Sequence, residues 1–133
     1  MKYTLLILIL ITLFSCKKEE EQVEPIEGLQ VINSLTQMTS DLELGVSMVF
    51  FHASWCSVCQ AQRPAISEVA MDTDLIQVFF GEVEYEDYPE IVEAHNVEGF
   101  PTIIIYKDGS EVERFVGGGH STSDLKSVIL SQL

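Results

Sequence analysis

Trp55-Cys56-Ser57-Val58-Cys59 sets two thiols three residues apart. On a helix that spacing brings both side chains to one turn, close enough for a disulfide with little backbone movement. At a helix start, unpaired N–H groups and the positive end of the dipole stabilise a thiolate on the first cysteine. Such a thiolate attacks a disulfide in another molecule and forms a mixed disulfide. The second thiol then attacks that intermediate and releases the reduced partner. Cys56, nearer the helix end, is the expected nucleophile, and Cys59, one turn in, the resolving thiol. Zinc sites use the same spacing but want four ligands. Here no second Cys pair exists, and His52, His95 and His120 stand singly. A purely structural disulfide is the other alternative. No metal and no organic cofactor is expected, since electrons pass through the Cys56/Cys59 pair itself.

The elements around this pair alternate. Leu35, Met38 and Leu42 have helical spacing, and Gly45 is a plausible stop. Val46 to His52 is an apolar run that suits a central strand covered on both faces. The helix after Trp55-Cys56 is expected to turn Val58, Ala61, Ala65, Ile66 and Val69 inward, with Pro64 kinking it. Leu75 to Glu84 reads as a second buried strand through Ile76, Val78 and Phe80. Asp87 is the expected N-cap of a short helix with Pro89 in its first turn, ending near His95-Asn96. Thr102 to Tyr106 is a third strand. Asp108-Gly109 reverses the chain, and Glu111 to Val116 returns antiparallel. After Gly117-Gly118-Gly119, Ser121 and Asp124 form a capping box for a last helix with Leu125, Val128, Ile129 and Leu133. This order predicts an α/β fold, a mixed central sheet with helices on both faces.

The chain's 133 residues allow one domain, and 47% hydrophobic residues allow a packed core. A formal net charge of -14 argues against nucleic-acid binding. Three cysteines are too few for a disulfide scaffold. Met1-Lys2-Tyr3 followed by Leu and Ile to Phe14 has the lengths of a secretory signal and is too short to span a bilayer. Leu13-Phe14-Ser15-Cys16 resembles the lipobox of bacterial lipoproteins, although Phe14 is bulkier than usual there. The resemblance implies a signal peptide at 1–15 and lipidation of Cys16. Residues 16–27 then read as a lipidated, disordered tether, and 28–133 as the domain. Lys17-Lys18-Glu19-Glu20-Glu21 also resembles the tags that send some lipoproteins to the outer cell surface.

Within 28–133 the sequence resembles the thioredoxin family. Phe51-His52-Ala53-Ser54-Trp55-Cys56-Ser57-Val58-Cys59 is similar to its active-site segment. Pro64 falls where thioredoxins carry a helix proline, and Gly99-Phe100-Pro101-Thr102 matches the cis-proline turn. Lys107-Asp108-Gly109 and Gly117 follow in family order. The resemblance implies a thioredoxin fold, a redox-active Cys56–Cys59 disulfide, and a cis peptide before Pro101 beside it. Trp55, Ser57, Val58, Phe100 and Thr102 are then supporting residues, with the Phe100 backbone free to pair with an extended peptide.

Three departures from the family pattern stand out. Phe50 stands where thioredoxins usually carry a buried Asp, and alternation of the next strand puts Phe80 where the nearby Lys belongs. A dry, apolar floor under Cys59 is the expectation, and burial there favours the neutral thiol. Ser57-Val58 replaces Gly-Pro and adds no positive charge, which leans towards a reductase or isomerase. His52 replaces an aromatic residue; a polar strand end is the plainer reading and a proton relay the sharper one. His95 and His120 carry no expected role. Glu82, Glu84, Glu86, Asp87, Glu90, Glu93 and Glu98 read as a solvated acidic face.

The sequence therefore predicts a monomeric thiol-disulfide oxidoreductase acting on protein disulfides. It would be extracytoplasmic, held to the bacterial envelope by lipid, on the outer membrane and facing periplasm or surface. Its electrons would come from a membrane or thiol donor. The alternative is a membrane-tethered peptide-binding module with a fixed, non-catalytic disulfide.

Overall fold

The computed structural model describes residues 24–133. The expected leader at 1–15, Cys16 and the charged run Lys17–Glu21 lie outside the described residues. In chain order the elements are β1 (Gln30–Val31), α1 (Leu35–Leu42), β2 (Val46–His52), α2 (Ser57–Ala70), a 3-10 turn (Thr73–Leu75), β3 (Phe79–Glu84), α3 (Pro89–Ala94), β4 (Thr102–Lys107), β5 (Ser110–Val116) and α4 (Thr122–Gln132). The strands form one sheet in the order β1-β3-β2-β4-β5. β2 lies parallel to β3 and antiparallel to β4, so the sheet is mixed.

Every side chain of β2 is buried, as a strand covered on both faces requires. Its even-numbered residues Met48 and Phe50 pack with Ile103 and Ile105 of β4 under Ile66 and Val69 of α2 and Leu125 and Ile129 of α4. Its odd-numbered Val49 and Phe51 pack with Val83, Ile104 and Tyr106 under Met38 and Leu42 of α1 and Ile91 and Val92 of α3. Each fully buried aliphatic or aromatic side chain contributes roughly 1.5–3 kcal/mol, so both layers hold the sheet.

Local signals explain most boundaries. Gly45, with φ +76, follows α1. Asp108 and Gly109 both have positive φ in the β4–β5 reversal. The Asp108 carboxylate also accepts the Gly45 N–H at 2.8 Å, tying the two turns together. The Ser121–Asp124 capping box opens α4.

Several expectations need correction. β1 is only two residues long, too short for a periodic signal. β3 starts at Phe79, not Leu75, and Ile76 is 87% exposed; Leu75, Val78 and Phe80 are the inward residues. Helix α2 buries Cys59, Gln62, Ile66 and Val69, whereas Val58 and Ala61 are exposed and Ala65 only partly covered. It runs through Pro64 as one helix. Tyr88, not Asp87, caps α3, and it makes no side-chain cap bond. Leu133 is half-exposed rather than core.

The packed part of the chain also begins before Gly28. Ile26 is buried in the α2/α4 layer. The Arg63 guanidinium donates to the Glu24 carbonyl, and Ser67 Oγ donates to the Glu27 carbonyl at 3.2 Å. Gly28 has φ +90, and a Cβ there would lie 2.9 Å from the Ala70 Cβ. Residues 24–27 therefore lie along α2 as part of the domain.

Candidate active site

Cys56 ends the loop from β2 and is the N-cap of α2, with extended backbone (φ -88, ψ 101). Its Sγ accepts the Cys59 N–H at 3.1 Å, so one of the helix's unpaired donors points at this sulfur. Cys56 N–H donates in turn to the Ala53 carbonyl at 3.2 Å, fixing the entry to the helix. Cys56 and Cys59 are joined in a disulfide with Cα atoms 5.2 Å apart. Cys56 is 6% exposed and Cys59 1%, so the first sulfur is the nearer to solvent.

The supporting residues from the sequence gather at this end of the molecule. Ser57 and Val58 are exposed between the cysteines. The peptide bond between Phe100 and Pro101 is cis. Phe100 meets Trp55 edge-on, ring centres 6.0 Å apart, and Tyr85 at 5.3 Å. Trp55 and Tyr85 are exposed, so this aromatic group forms the outer wall next to the disulfide. Thr102 is buried and donates from Oγ1 to the Gly99 carbonyl at 2.8 Å, bracing the turn from below. The Gly117 N–H donates to the Pro101 carbonyl at 2.8 Å.

The glycine run is bound to α2 by Gln62, which sequence reading passed over. Its Oε1 accepts the N–H groups of Gly119 and His120 at 3.0 and 3.1 Å, and its Nε2 donates to the His120 carbonyl at 2.7 Å. This holds Gly118 against Val58: a Cβ at 118 would stand 2.5 Å from Val58 Cγ1. The signal was a polar residue in phase with Cys59, Ile66 and Val69 on α2. On the other side of the site, Glu86 accepts the Ser54 N–H at 3.2 Å and its Oγ–H at 2.9 Å. The Glu86 carboxylate is thus held against Ser54, two residues before Cys56.

The floor differs from expectation. Phe50 is fully buried in the same apolar layer as both cysteines. Its neighbour on β3 is Glu82, not Phe80, which pairs with Met48. Glu82 is buried, 3% exposed, and so is not part of a solvated acidic face. Its Oε2 lies 3.0 Å from Nε2 of His52, the last residue of β2, which is only 2% exposed and paired rather than solvated. Its Oε1 accepts the Ile26 N–H at 3.0 Å. Burial raises the carboxyl of Glu84, the register partner of His52, above its ordinary range, and His52 opposes that rise. The floor is therefore apolar at Phe50 and ionisable beside it. His95 and His120 lie elsewhere: His95 Nδ1 is 2.9 Å from the Tyr106 hydroxyl, and His120 packs on Phe115.

A helix-capping dithiol beside a cis-proline turn on a mixed five-stranded sheet defines a class, the thiol-disulfide oxidoreductases. The thioredoxin family profile matches residues 31–131. The chain is 32% identical over 84 residues to a thioredoxin of Chlamydia caviae, covering 63% of this chain and 80% of that one. It is 35% identical over 99 residues to an H-type thioredoxin of Fagopyrum esculentum, covering 74% and 83%. Among solved structures, a thioredoxin variant from Halobacterium salinarum superposes with a TM-score of 0.69 at 27% identity, over 83% of this chain and 94% of that one. The thioredoxin of Malassezia sympodialis gives the same fold at TM-score 0.69 and 23% identity, over 85% and 97%. The chain belongs to the thioredoxin family. It is a thiol-disulfide oxidoreductase whose redox pair is Cys56–Cys59 and whose partners are protein disulfides.

Proposed function

We propose that this protein exchanges disulfides outside the cytoplasm while held to the bacterial envelope by a lipid on Cys16, and that it works in the reductase or isomerase direction. The observation that carries the chemistry is the Cys59 N–H aimed at Cys56 Sγ from the first turn of α2. In the reduced protein the same N–H stabilises a Cys56 thiolate. That thiolate attacks a substrate disulfide: the Cys56–substrate S–S bond forms, and one substrate sulfur leaves with the electron pair. Cys59 then attacks Cys56 Sγ, the mixed disulfide breaks, and the second substrate sulfur leaves as a thiolate. Phe100, outside β4, offers its backbone to an extended substrate chain beside the sulfurs.

Direction follows from charge. Strong oxidants hold their nucleophile as a heavily stabilised thiolate. Here Ser57 and Val58 bring no positive charge, and Glu86 adds a carboxylate nearby. Both keep the thiolate less stable and the dithiol more reducing. Anchoring rests on the sequence resemblance at Leu13-Phe14-Ser15-Cys16.

The test is a Cys59→Ser variant produced from the full gene in a bacterial envelope. It should accumulate mixed disulfides through Cys56, and labelled palmitate should enter the wild type but not Cys16→Ala. A pair that fails to equilibrate with glutathione buffers, with no captured partner, would identify a fixed disulfide in a binding module instead.

A further inference from the structure

The resolving step leaves a proton unaccounted for. Cys59 is sealed in the apolar layer with Phe50, and its thiol must lose a proton as it attacks Cys56 Sγ. We propose that the buried His52–Glu82 pair is the acceptor of that proton. His52 and Phe50 point to the same face of β2, the face that carries both cysteines, and the imidazole stacks on the Phe50 ring with centres 5.1 Å apart. His52 is also the last residue of β2, just before the turn that delivers Cys56. The imidazole thus stands at the margin of the sulfur-bearing layer, with a phenyl ring where a carboxylate would otherwise sit.

The pair is built as an oriented base. Glu82 accepts a backbone N–H from Ile26 on one oxygen and faces His52 Nε2 with the other. A carboxylate so placed fixes the Nε2–H tautomer and leaves Nδ1 as the basic nitrogen. It also compensates the imidazolium once the proton arrives. The charged and titratable groups next to His52 are Glu82 and Glu84 from β3; Ile26, from the segment before β1, contributes only a backbone N–H to Glu82. Burial raises the carboxyl of Glu84, and a proton gained by His52 would oppose that rise.

The Cys59 S–H proton passes to Nδ1 through one bridging water as the Cys59–Cys56 S–S bond forms. The Cys56–substrate S–S bond breaks, and the substrate sulfur leaves with the electron pair. Nδ1 then returns the proton to solvent. No external oxidant or reductant enters.

Reduced full-length protein mixed with an aromatic disulfide such as Ellman's reagent separates the steps. The first thionitrobenzoate released reports attack by Cys56, and the second reports resolution by Cys59. His52→Gln should slow the second phase at neutral pH by about 10- to 100-fold, within the range for a positioned base. It should also remove an inflection from that phase's pH profile. The first phase should change less than about twofold. Glu82→Gln should shift the same inflection, giving a second reading if His52→Gln folds poorly. A second phase with unchanged rate and pH profile in either folded variant would overturn the proposal. So would equal slowing of both phases, or a wild-type profile without the inflection. The first phase reports the oxidoreductase activity independently, so failure of the relay is distinguishable from failure of that activity.

Discussion

The two faces of the sheet both bury hydrocarbon yet are built to different rules. Under α1 and α3 the layer is Ile32, Met38, Leu42, Val49, Phe51, Val83, Ile91, Val92, Val97 and Ile104, with the small hydroxyls of Ser47 and Thr102 buried on the same strand faces and Tyr106 meeting His95 at its margin. Under α2 and α4 the layer admits two cysteines and adjoins His52, Glu82 and Gln62, all buried and all hydrogen-bonded. Burying an ionisable group is costly unless it is paired. The second face therefore carries buried ionisable groups beside its sulfurs, whereas the first holds only small hydroxyls within its hydrocarbon.

Removing Cys56 is the strongest way to break this contrast. Cys56→Ser should abolish turnover of an insulin-type disulfide substrate while leaving the far-ultraviolet circular dichroism unchanged. Next, Ile104→Ala on the closed face should destabilise the fold by about 2–5 kcal/mol in urea titrations, with the reduction potential of the folded protein unmoved. Gln62→Ala, on the chemical face, should lose roughly 1–3 kcal/mol, because it strands the N–H groups of Gly119 and His120. It should also alter substrate KM, since the glycine run borders the disulfide. A potential that moves with Ile104→Ala, or a KM that ignores Gln62→Ala, would dissolve the distinction between faces.

Smaller effects sharpen it through pH. Burial, aided by Arg114, lowers the pKa of His95 below its ordinary 6.5. The unfolded chain then takes up the proton first, so this group's contribution is intact above about pH 6.5 and is lost as pH falls through the folded pKa. Melts of His95→Gln between pH 5 and 7.5 should show a shallower decline than wild type. Glu84 has the opposite sign, because burial raises its folded pKa. The folded state holds that proton more tightly, so the contribution is present in acid and lost as pH rises. Glu84→Gln should accordingly stabilise at neutral pH by up to about 0.5 kcal/mol, and the gain should vanish in acid.

Much of this was legible in the chain itself. The dithiol, the cis-proline turn, the hairpin at Asp108-Gly109 and the Ser121 cap each depend on residue types that few other conformations want. What failed was phase. Alternation has a period of two, so it assigns a face to Phe80 and Glu82 alike and cannot say which lies beside Phe50. Only the register does. On α2 the alanines and Pro64 blurred the apolar stripe, so Gln62 was passed over and Val58 turned inward in error. β1 carries too few residues to show any period, and Ile26 packs because a carboxylate 56 positions away receives its N–H.

The near-collision between position 118 and Val58 has a bearing on protein engineering. The dipeptide that sets the electron affinity of the sulfurs and the loop that borders them share one small volume. Transplanting a Gly-Pro pair from a relative would open a hole over the glycine run. Lengthening residue 118 would press on the helix that carries both sulfurs. Anyone retuning this enzyme must exchange the two segments together, as a single graft.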